Sequence, residues 1–366
     1  MLGHKRIPSR EGGIEIVVEE LSTRMAQMGH TVTCYNRSGH HIGGKEFDTN
    51  YQKEYKGVKL KKALTVDKKG LAAMTSSFFA TIGVAFGKYD VAHYPAEGPC
   101  AMMWLAKLFG KRCVATIHGL DHQRAKWGRF AKAYIMLGEK CAVKCADEII
   151  VLSENVQNYF ADTYGRKTVF IPNAVNPATN IPCQLITKNY GLEKDGYILF
   201  LGRIVPEKGI TYLIDAYKQI NTAKKLVIAG GASDSAEFFE ELKQRAKDDE
   251  RIIFTGFVQG QILEELYSNA YIYALPSDLE GMPLSLLEAM SYSNCCVVSD
   301  IPECVQVVED KAVIFKKGNT NDLAEKLQYL CHNPQIVDTY KQNSATYITN
   351  RYNWDDVVNK TLNLYQ

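Results

Sequence analysis

Short apolar runs alternate with amphipathic helical patterns along all 366 residues, and this alternation limits the fold more than any other feature. The first half holds TVTCY (31–35), KYDVAHY (88–94), RCVATIH (112–118), DEIIVLS (147–153) and TVFIPN (168–173). The second half holds YILFLG (197–202), KLVIAGG (225–231), RIIFTGF (251–257), YIYALPS (271–277), CCVVSD (295–300) and AVIF (312–315). Between them lie patterns such as IEIVVEELSTRMAQMG, GITYLIDAYKQI and AEFFEELKQRAKD. Continuous apolar strands separated by one-faced helices indicate parallel sheets covered on both sides. At roughly 150 residues per domain, the length gives two such domains. The pattern breaks over NPATNIPCQLITKNYGL, which has two prolines and no periodicity. The expected organisation is a domain over 1–178, a second over 179–348, and a closing helix over 349–366.

A composition of 46% hydrophobic and 23% charged residues excludes a disordered or collagen-like chain. The net charge of +2 gives no reason to expect a nucleic-acid partner. The halves differ: residues 1–185 carry 25 Lys+Arg against 16 Asp+Glu, and the remainder 18 against 25. A basic first domain therefore faces something anionic. The ten cysteines include no CxxC pair and sit in apolar runs, which reads as reduced core residues of a cytosolic protein without structural zinc. GLAAMTSSFFATIGVAFG (70–87) is uncharged but rich in glycine and hydroxyl residues, and is expected to be a buried helix rather than a membrane span. A doubly wound domain opens on a central strand, yet here the first glycine loop follows only Met1-Leu2-Gly3. A lost central strand would leave its neighbours' backbone unpaired, so a start upstream of Met1 is expected.

Four motifs carry chemistry. In SDLEGMPLSLLEAM (277–290) a strand ends, the chain turns at Gly281 and a helix begins near Pro283, a residue suited to a first helical turn. The N–H groups of Gly281, Met282 and Leu284, with the helix dipole, can form an anion site. Glu280 precedes the turn and Glu288 lies one to two turns beyond it. This spacing suits two carboxylates lining one cleft, near a sugar ring and a ribose diol, or equally a solvated acid and a capping acid. In FLGRIVPEKG (200–209), Arg203 and Lys208 flank a Pro-Glu turn. Alone they could be two solvated cations; at the carboxyl end of a strand, where α/β sheets bind ligands, they could share one diphosphate. In HKRIPSREGG (4–13), Gly12 and Gly13 open a helix and permit close backbone approach to a phosphate, with Lys5, Arg6 and Arg10 adding charge. Neither GxGxxG nor GxxxxGK[ST] occurs. In TIHGLDHQRAKWGRF (116–130), His118 ends a strand, either as a structural hydrogen-bonder or as a cleft residue. The helix expected after it carries Arg124, Lys126, Arg129 and Lys132 with Trp127, Phe130 and Tyr134 at helical spacing. That pattern suits an anionic membrane surface or a core helix with a solvated basic face.

In order, GG (12–13), His118, GR…EKG (202–209), AGG (229–231), GFV (256–258) and E-x7-E (280–288) resemble the retaining family-4 glycosyltransferases of GT-B fold. The resemblance covers essentially the whole chain and is most specific in 197–310. The opening GHKRIPSREGGIEIVVEEL is similar to bacterial members that build capsular, exopolysaccharide or cell-wall glycans. It implies an α/β GT-B fold: two doubly wound parallel-sheet, Rossmann-like domains facing across a cleft. The first domain would bind the acceptor and the second the nucleotide sugar, and the last helix would cross back to the first. Arg203 and Lys208 would hold the donor diphosphate, Glu288 the ribose, and the Val258 backbone the base. Glu280 would face the transferred sugar, with Gly281, Met282, Pro283 and Leu284 completing its pocket, and His118 would lie beside sugar and acceptor. The segment usually reading P-N-G-V-D is here Pro172-Asn173-Ala174-Val175-Asn176, a departure that bears on the interdomain hinge.

The implied activity moves a hexose from a nucleoside-diphosphate sugar, the co-substrate, to a glycan or lipid-diphosphate-linked acceptor with retention. No cofactor and no metal is expected. The leaving diphosphate gains charge, and two cations, two helix N-termini and a glycine loop can answer it, each preorganised donor contributing about a few kcal/mol. No D-x-D occurs, so these groups stand where a metal otherwise would. Front-face attack, with the leaving phosphate taking the acceptor's proton, is favoured over double displacement. No dedicated base is evident, and Glu280 is the one nucleophile candidate. A GT-B nucleotide-sugar epimerase and a catalytically silent nucleotide-binding scaffold are the competing readings. The basic first half suggests peripheral contact with the anionic inner face of the plasma membrane.

Overall fold

The computed structural model describes residues 1–40, 52–66, 68, 70–123, 128–231 and 236–366. They divide into two compact units, Met1–Asn173 with Trp354–Gln366, and Ala174–Asn353.

The first unit runs α1 (Gly13–Gln27), β1 (Thr33–Arg37), β2 (Glu54–Tyr55), β3 (Val58–Ala63), α2 (Leu71–Ala85) and β4 (Val91–Tyr94). It continues with α3 (Met103–Leu108), β5 (Arg112–Ile117), α4 (Arg129–Cys145), β6 (Glu148–Val151), α5 (Glu154–Tyr164) and β7 (Val169–Phe170). β4-β5-β6-β7 pair in parallel, β1 pairs in parallel with β3, and β2 pairs antiparallel on the far side of β3. Met1 and Leu2 lie between β1 and β4. Leu2 bridges Tyr35 in parallel and its N–H donates to His93 O at 3.1 Å, while the Tyr35 N–H donates to Met1 O at 3.1 Å. The central strand expected to be missing is therefore occupied by these residues, and Leu2 is fully buried. With Leu2 as strand one and the antiparallel edge strand β2 left out of the numbering, the parallel strands run 3-2-1-4-5-6-7, the order of a doubly wound sheet.

Three local expectations change. β3, VKLKKA, was not anticipated: its buried residues alternate with exposed lysines, so it lacks the continuous apolar run of a strand covered on both faces. The uncharged 70–87 stretch is α2, but only its small side is buried: Ser76, Ser77, Ala80, Thr81 and Val84 face inward while Phe78 and Phe79 are exposed. Small residues let the helix lie close to the sheet, and the large ones are left outside. The helix expected after His118 begins only at Arg129, preceded by a 3-10 turn at Asp121–Gln123; Arg124, Lys126 and Trp127 lie outside the described residues. No helix among the described residues is long and apolar enough to cross a membrane.

The second unit runs α6 (Leu185–Tyr190), β8 (Tyr197–Leu201), α7 (Ile210–Gln219), β9 (Lys225–Ala229), α8 (Ala236–Ala246), β10 (Ile252–Gly256) and α9 (Gln261–Asn269). Then come β11 (Ile272–Leu275), α10 (Leu284–Ser291), β12 (Cys295–Ser299), α11 (Pro302–Val308), β13 (Val313–Phe315), α12 (Thr320–His332) and α13 (Pro334–Arg351). Its six strands are all parallel in the order β10-β9-β8-β11-β12-β13, again 3-2-1-4-5-6. β11 and β12 are buried at every residue, as a strand covered on both faces must be. The proline-rich stretch after 176 is not structureless throughout. Fully buried Glu265 accepts the N–H groups of Gln184 (2.9 Å) and Ile186 (3.0 Å), which starts α6. Burial pushes the Glu265 carboxyl up, but those N–H groups outweigh it and hold it below the usual carboxylate range.

The expected closing helix over 349–366 is two helices. α13 stops at Arg351, Tyr352 O accepts the Val175 N–H at 3.0 Å, and α14 (Trp354–Asn363) starts two residues later. α14 packs on α1, where Arg24 pairs with Asp355 at 2.8 Å, and Tyr365 reaches His93 Nδ1 at 2.6 Å.

Candidate functional site

In the second unit the strand order reverses between β8 and β11, and ligands of open α/β sheets bind at the carboxyl ends of strands at such a reversal. The loop after β8 carries Arg203 and a 3-10 turn at Pro206–Lys208, ended by Gly209 at φ 65°. A Cβ on Gly209 would stand 1.9 Å from Pro276 O, so only glycine lets this loop lie against the loop after β11. Gly230, after β9, is similarly placed: at φ 151°, its Cβ would stand 1.8 Å from Gly202 O. The Asp278 N–H donates to Glu207 O at 2.8 Å, and the Tyr212 hydroxyl donates to the Asp278 carboxylate. Backbone contact, not only side chains, therefore fixes how these loops meet.

Lys208 and Glu280 are brought together. Lys208 Nζ donates to Glu280 Oε1 at 2.5 Å, and Ser277 Oγ donates to the same oxygen at 2.6 Å. The Lys208 and Glu280 side chains keep 12% and 9% of their exposure, so the pair is mostly desolvated. Ser299 Oγ in turn donates to Ser277 O at 2.5 Å and ties the loop to the end of β12. Ser277 was not picked out from the sequence. The signal was present as Ser277-x-x-Glu280, a spacing that lets a hydroxyl and a carboxylate meet across a turn.

α10 opens at Leu284 with Pro283 as its cap residue, one position earlier in the helix scheme than the first-turn placement expected. No side chain caps it, and Gly281, Met282, Pro283 and Leu284 are all buried. Glu288 is half-buried in the second turn of α10 and lies 3.3 Å from the Tyr267 hydroxyl, whose ring stacks on Tyr292 at 5.4 Å. Val258 is buried just beyond β10, after Gly256 at φ 72°. Arg203 is half-buried at the end of β8.

In the first unit, Gly12 caps α1 and Gly13 is its first residue, with no side-chain cap. The surrounding charge is more balanced than the sequence suggests. Arg6 pairs with buried Glu11 at 3.1 Å, and buried Glu15 accepts the Lys5 N–H at 2.9 Å. Burial opposes ionisation of Glu15, but Lys5, His4 and Arg37 together outweigh it and keep the carboxyl below its ordinary range. Glu15 thus already answers part of the positive end of the helix. His118 is half-buried just past β5. The neighbouring His93, unnoticed in the sequence, is held between Tyr365 and Thr116, its Nε2 lying 2.7 Å from Thr116 Oγ1.

Among the described residues, one set of ligand-type atoms gathers closely enough to share a cation: Glu97, His122 and Glu139, within 4.8 Å of one another. The protein's own donors engage it. The Tyr159 (2.9 Å) and Tyr164 hydroxyls donate to Glu139 Oε1, His122 Nδ1 lies 3.3 Å from Glu139 Oε2, and the Asp121 N–H donates to Glu97 Oε2 at 3.0 Å.

Residues 11–179 match the family described as Glycosyltransferase Family 4, and residues 184–347 match Glycosyl transferases group 1. The glycosyltransferase MJ1607 of Methanocaldococcus jannaschii is 28% identical over 247 residues, 64% of this chain and 62% of that relative. MJ1178 of the same organism is 23% identical over 361 residues, 97% of this chain and 94% of that one. Among solved structures, HepE of Anabaena in complex with UDP and glucose superposes with a TM-score of 0.81 at 15% identity, covering 98% of this chain and 97% of that chain. The two family matches adjoin and between them take in nearly the whole chain, and its two parallel α/β sheets are those of the Rossmann-like GT-B fold: the chain belongs to the group 1, family-4 glycosyltransferases.

Proposed function

We propose that the protein transfers a hexosyl group from a nucleoside-diphosphate sugar to a glycan or lipid-diphosphate-linked acceptor, with retention and without a metal ion. The observation that carries this reading is the Lys208–Glu280 pair at the strand-order reversal, followed by the uncapped start of α10. HepE, whose structures hold UDP with glucose and UDP-glucose, supports a nucleotide-sugar donor. In this reading Arg203, Lys208 and the Gly281–Leu284 turn take the diphosphate and sugar, Glu288 the ribose and the Val258 backbone the base. In the first unit, Gly12 and Gly13 are the proposed backbone contacts for phosphate, and His118 the residue proposed to serve the acceptor.

As the anomeric C–O bond breaks, the diphosphate gains negative charge and the sugar becomes cation-like. Lys208 is already held in place, so its charge needs no reorganisation, and Glu280 offers a fixed carboxylate to the developing cation. A leaving-phosphate oxygen then takes the acceptor hydroxyl's proton as the new C–O bond forms on the same face, which gives retention. The membrane side of the reading, a lipid-linked acceptor met at an anionic cytoplasmic surface, rests on the basic first half of the chain.

Calorimetric titration with nucleoside diphosphates tests the donor site. Binding is expected for the native chain and loss of binding for Arg203→Ala and Arg203→Ala/Lys208→Ala; no binding to any nucleoside diphosphate refutes the reading. Glu280→Gln should lower turnover on the order of a hundredfold while the donor still binds. Proton NMR of the product reads the anomeric configuration, and inversion removes the front-face step. Release of a new sugar nucleotide without acceptor would mark an epimerase, and binding without any turnover a scaffold.

A further inference from the structure

Helix α2 is built inside out. Its buried side is Ser76, Ser77, Ala80, Thr81, Val84 and Ala85, while Leu71, Phe78, Phe79 and the capping Phe86 stand outward at 40–72% exposure. Positions 71, 75, 78, 79, 82 and 86 recur at helical spacing, so the large apolar residues form one outward stripe rather than scattered exceptions. The neighbouring helices repeat the inversion. On α3, Trp104 is 50% and Leu108 73% exposed, four residues apart on one face. On α4, Phe130, Met136 and Leu137 are exposed while the only acid of that helix, Glu139, is fully buried.

The three faces adjoin. Right-handed crossovers beyond the reversal at Leu2 put α2, α3 and α4 on the same side of the sheet. α3 packs against both α2 and α4, and the rings of Phe86 and Phe109 meet edge-on at 4.7 Å. An apolar surface this continuous marks an interaction site. Among the described residues its charge is mostly positive: α2 and α3 contain no acid, the exposed charged residues of α4 are Arg129, Lys140 and Lys144, and one exposed acid, Asp90, follows Lys88 beyond the end of α2. Lys88 adds to the rim, and so does Lys107, whose ammonium also pairs with Asp147 at 2.5 Å.

We infer that the outer faces of α2, α3 and α4 dock the protein on an anionic lipid bilayer. Phe78, Phe79, Phe86, Trp104 and Leu108 enter the boundary between headgroups and acyl chains, and the lysines and arginine meet the lipid phosphates. Aromatic residues rimmed by an excess of cations match that boundary in both polarity and charge. This widens the membrane face from the basic segment after His118, whose Arg129 and Phe130 it includes, to an aromatic surface of three helices. The inference deepens the membrane-side acceptor proposed above and rests on it for its purpose, but vesicle binding tests the face without any acceptor.

The test is cosedimentation of the full chain with phosphatidylcholine vesicles and with vesicles of equal parts phosphatidylcholine and phosphatidylglycerol. Binding to the anionic vesicles is expected, weakening as salt is raised, with a blue shift of tryptophan emission. Phe86→Glu/Leu108→Glu replaces two of the most exposed side chains and should lower vesicle partition by roughly tenfold or more. The melting temperature and nucleoside-diphosphate binding should stay unchanged. Failure of the native chain to bind anionic vesicles at low salt overturns the inference, as does equal binding by the variant. So does self-association of the native chain, lost in the variant, by sedimentation velocity without lipid, which would assign the face to a second copy. Transfer to a water-soluble acceptor, measured beside this, separates failure of the face from failure of the transferase reading.

Discussion

Removing the charge of Lys208 tests how the candidate site is held together. At 2.5 Å and an effective dielectric of about 20, two unit charges attract by roughly 6 to 7 kcal/mol. Desolvation of both groups offsets much of this, but the loss on deleting one partner of a buried pair is still about 3 to 5 kcal/mol, because the survivor is left charged and uncompensated. In Lys208→Met, Glu280 would keep the Ser277 hydroxyl, so about 3 kcal/mol of destabilisation of the second unit is expected. Glu280→Gln should cost less, about 1 to 2 kcal/mol, since the amide oxygen can still accept from Ser277 and the ammonium can turn toward water. The double variant should fall close to Glu280→Gln alone, which leaves a coupling of about 2 to 3 kcal/mol. Urea unfolding followed by hydrogen exchange at the β8 and β11 amides reads the second unit specifically. Additive single effects, with coupling under about 0.5 kcal/mol, would show that the contact contributes nothing and that the backbone alone positions Glu280.

Gly209→Ala and Gly256→Ala both place a side chain at positive φ, but only the first meets a backbone oxygen; nothing lies within 4 Å of the second. Gly256→Ala should therefore cost about 1 kcal/mol in denaturant unfolding, and Gly209→Ala about 2 kcal/mol more, with loss of nucleoside-diphosphate binding. Burial pulls the His93 imidazole down from 6.5 to about 3. Its folded value lies below its unfolded one, so the stabilisation is complete above pH 6.5 and is lost as pH falls from there toward 3. Each unit of that fall should cost about 1.4 kcal/mol from His93, and in a pH series of urea midpoints His93→Gln should lower the slope of stability against pH by that amount, leaving the part due to His4, which burial pulls down to about 4. An unchanged slope in His93→Gln would exclude His93 as its source.

How far the site could be read from the sequence depends on what each residue answers to. Lys208 and Glu280 were legible because strand ends and glycine turns are local signals, and both residues stand one short loop beyond a continuous apolar strand. Their mutual contact was not legible, since 72 residues separate them and only the adjacency of β8 and β11 closes that gap. Ser277 and Ser299 were hidden for the same reason. His93 sits inside KYDVAHY and reads as one more strand residue until Tyr365, from the far end of the chain, meets it.

Alternating apolar strands and one-faced helices determined, without any long-range information, that the chain builds two parallel, doubly wound sheets. Such patterning is set by whether each residue meets water, and it repeats with the local period of its element. The tertiary structure alone decided which edges meet. It put Met1 and Leu2 into the central strand position, split the last helix at Tyr352, and turned the small side of α2 inward. An uncharged helix looks the same in sequence whichever face is buried, because the closest approach goes to the smallest side chains, and which side that is depends on the sheet it must lie against.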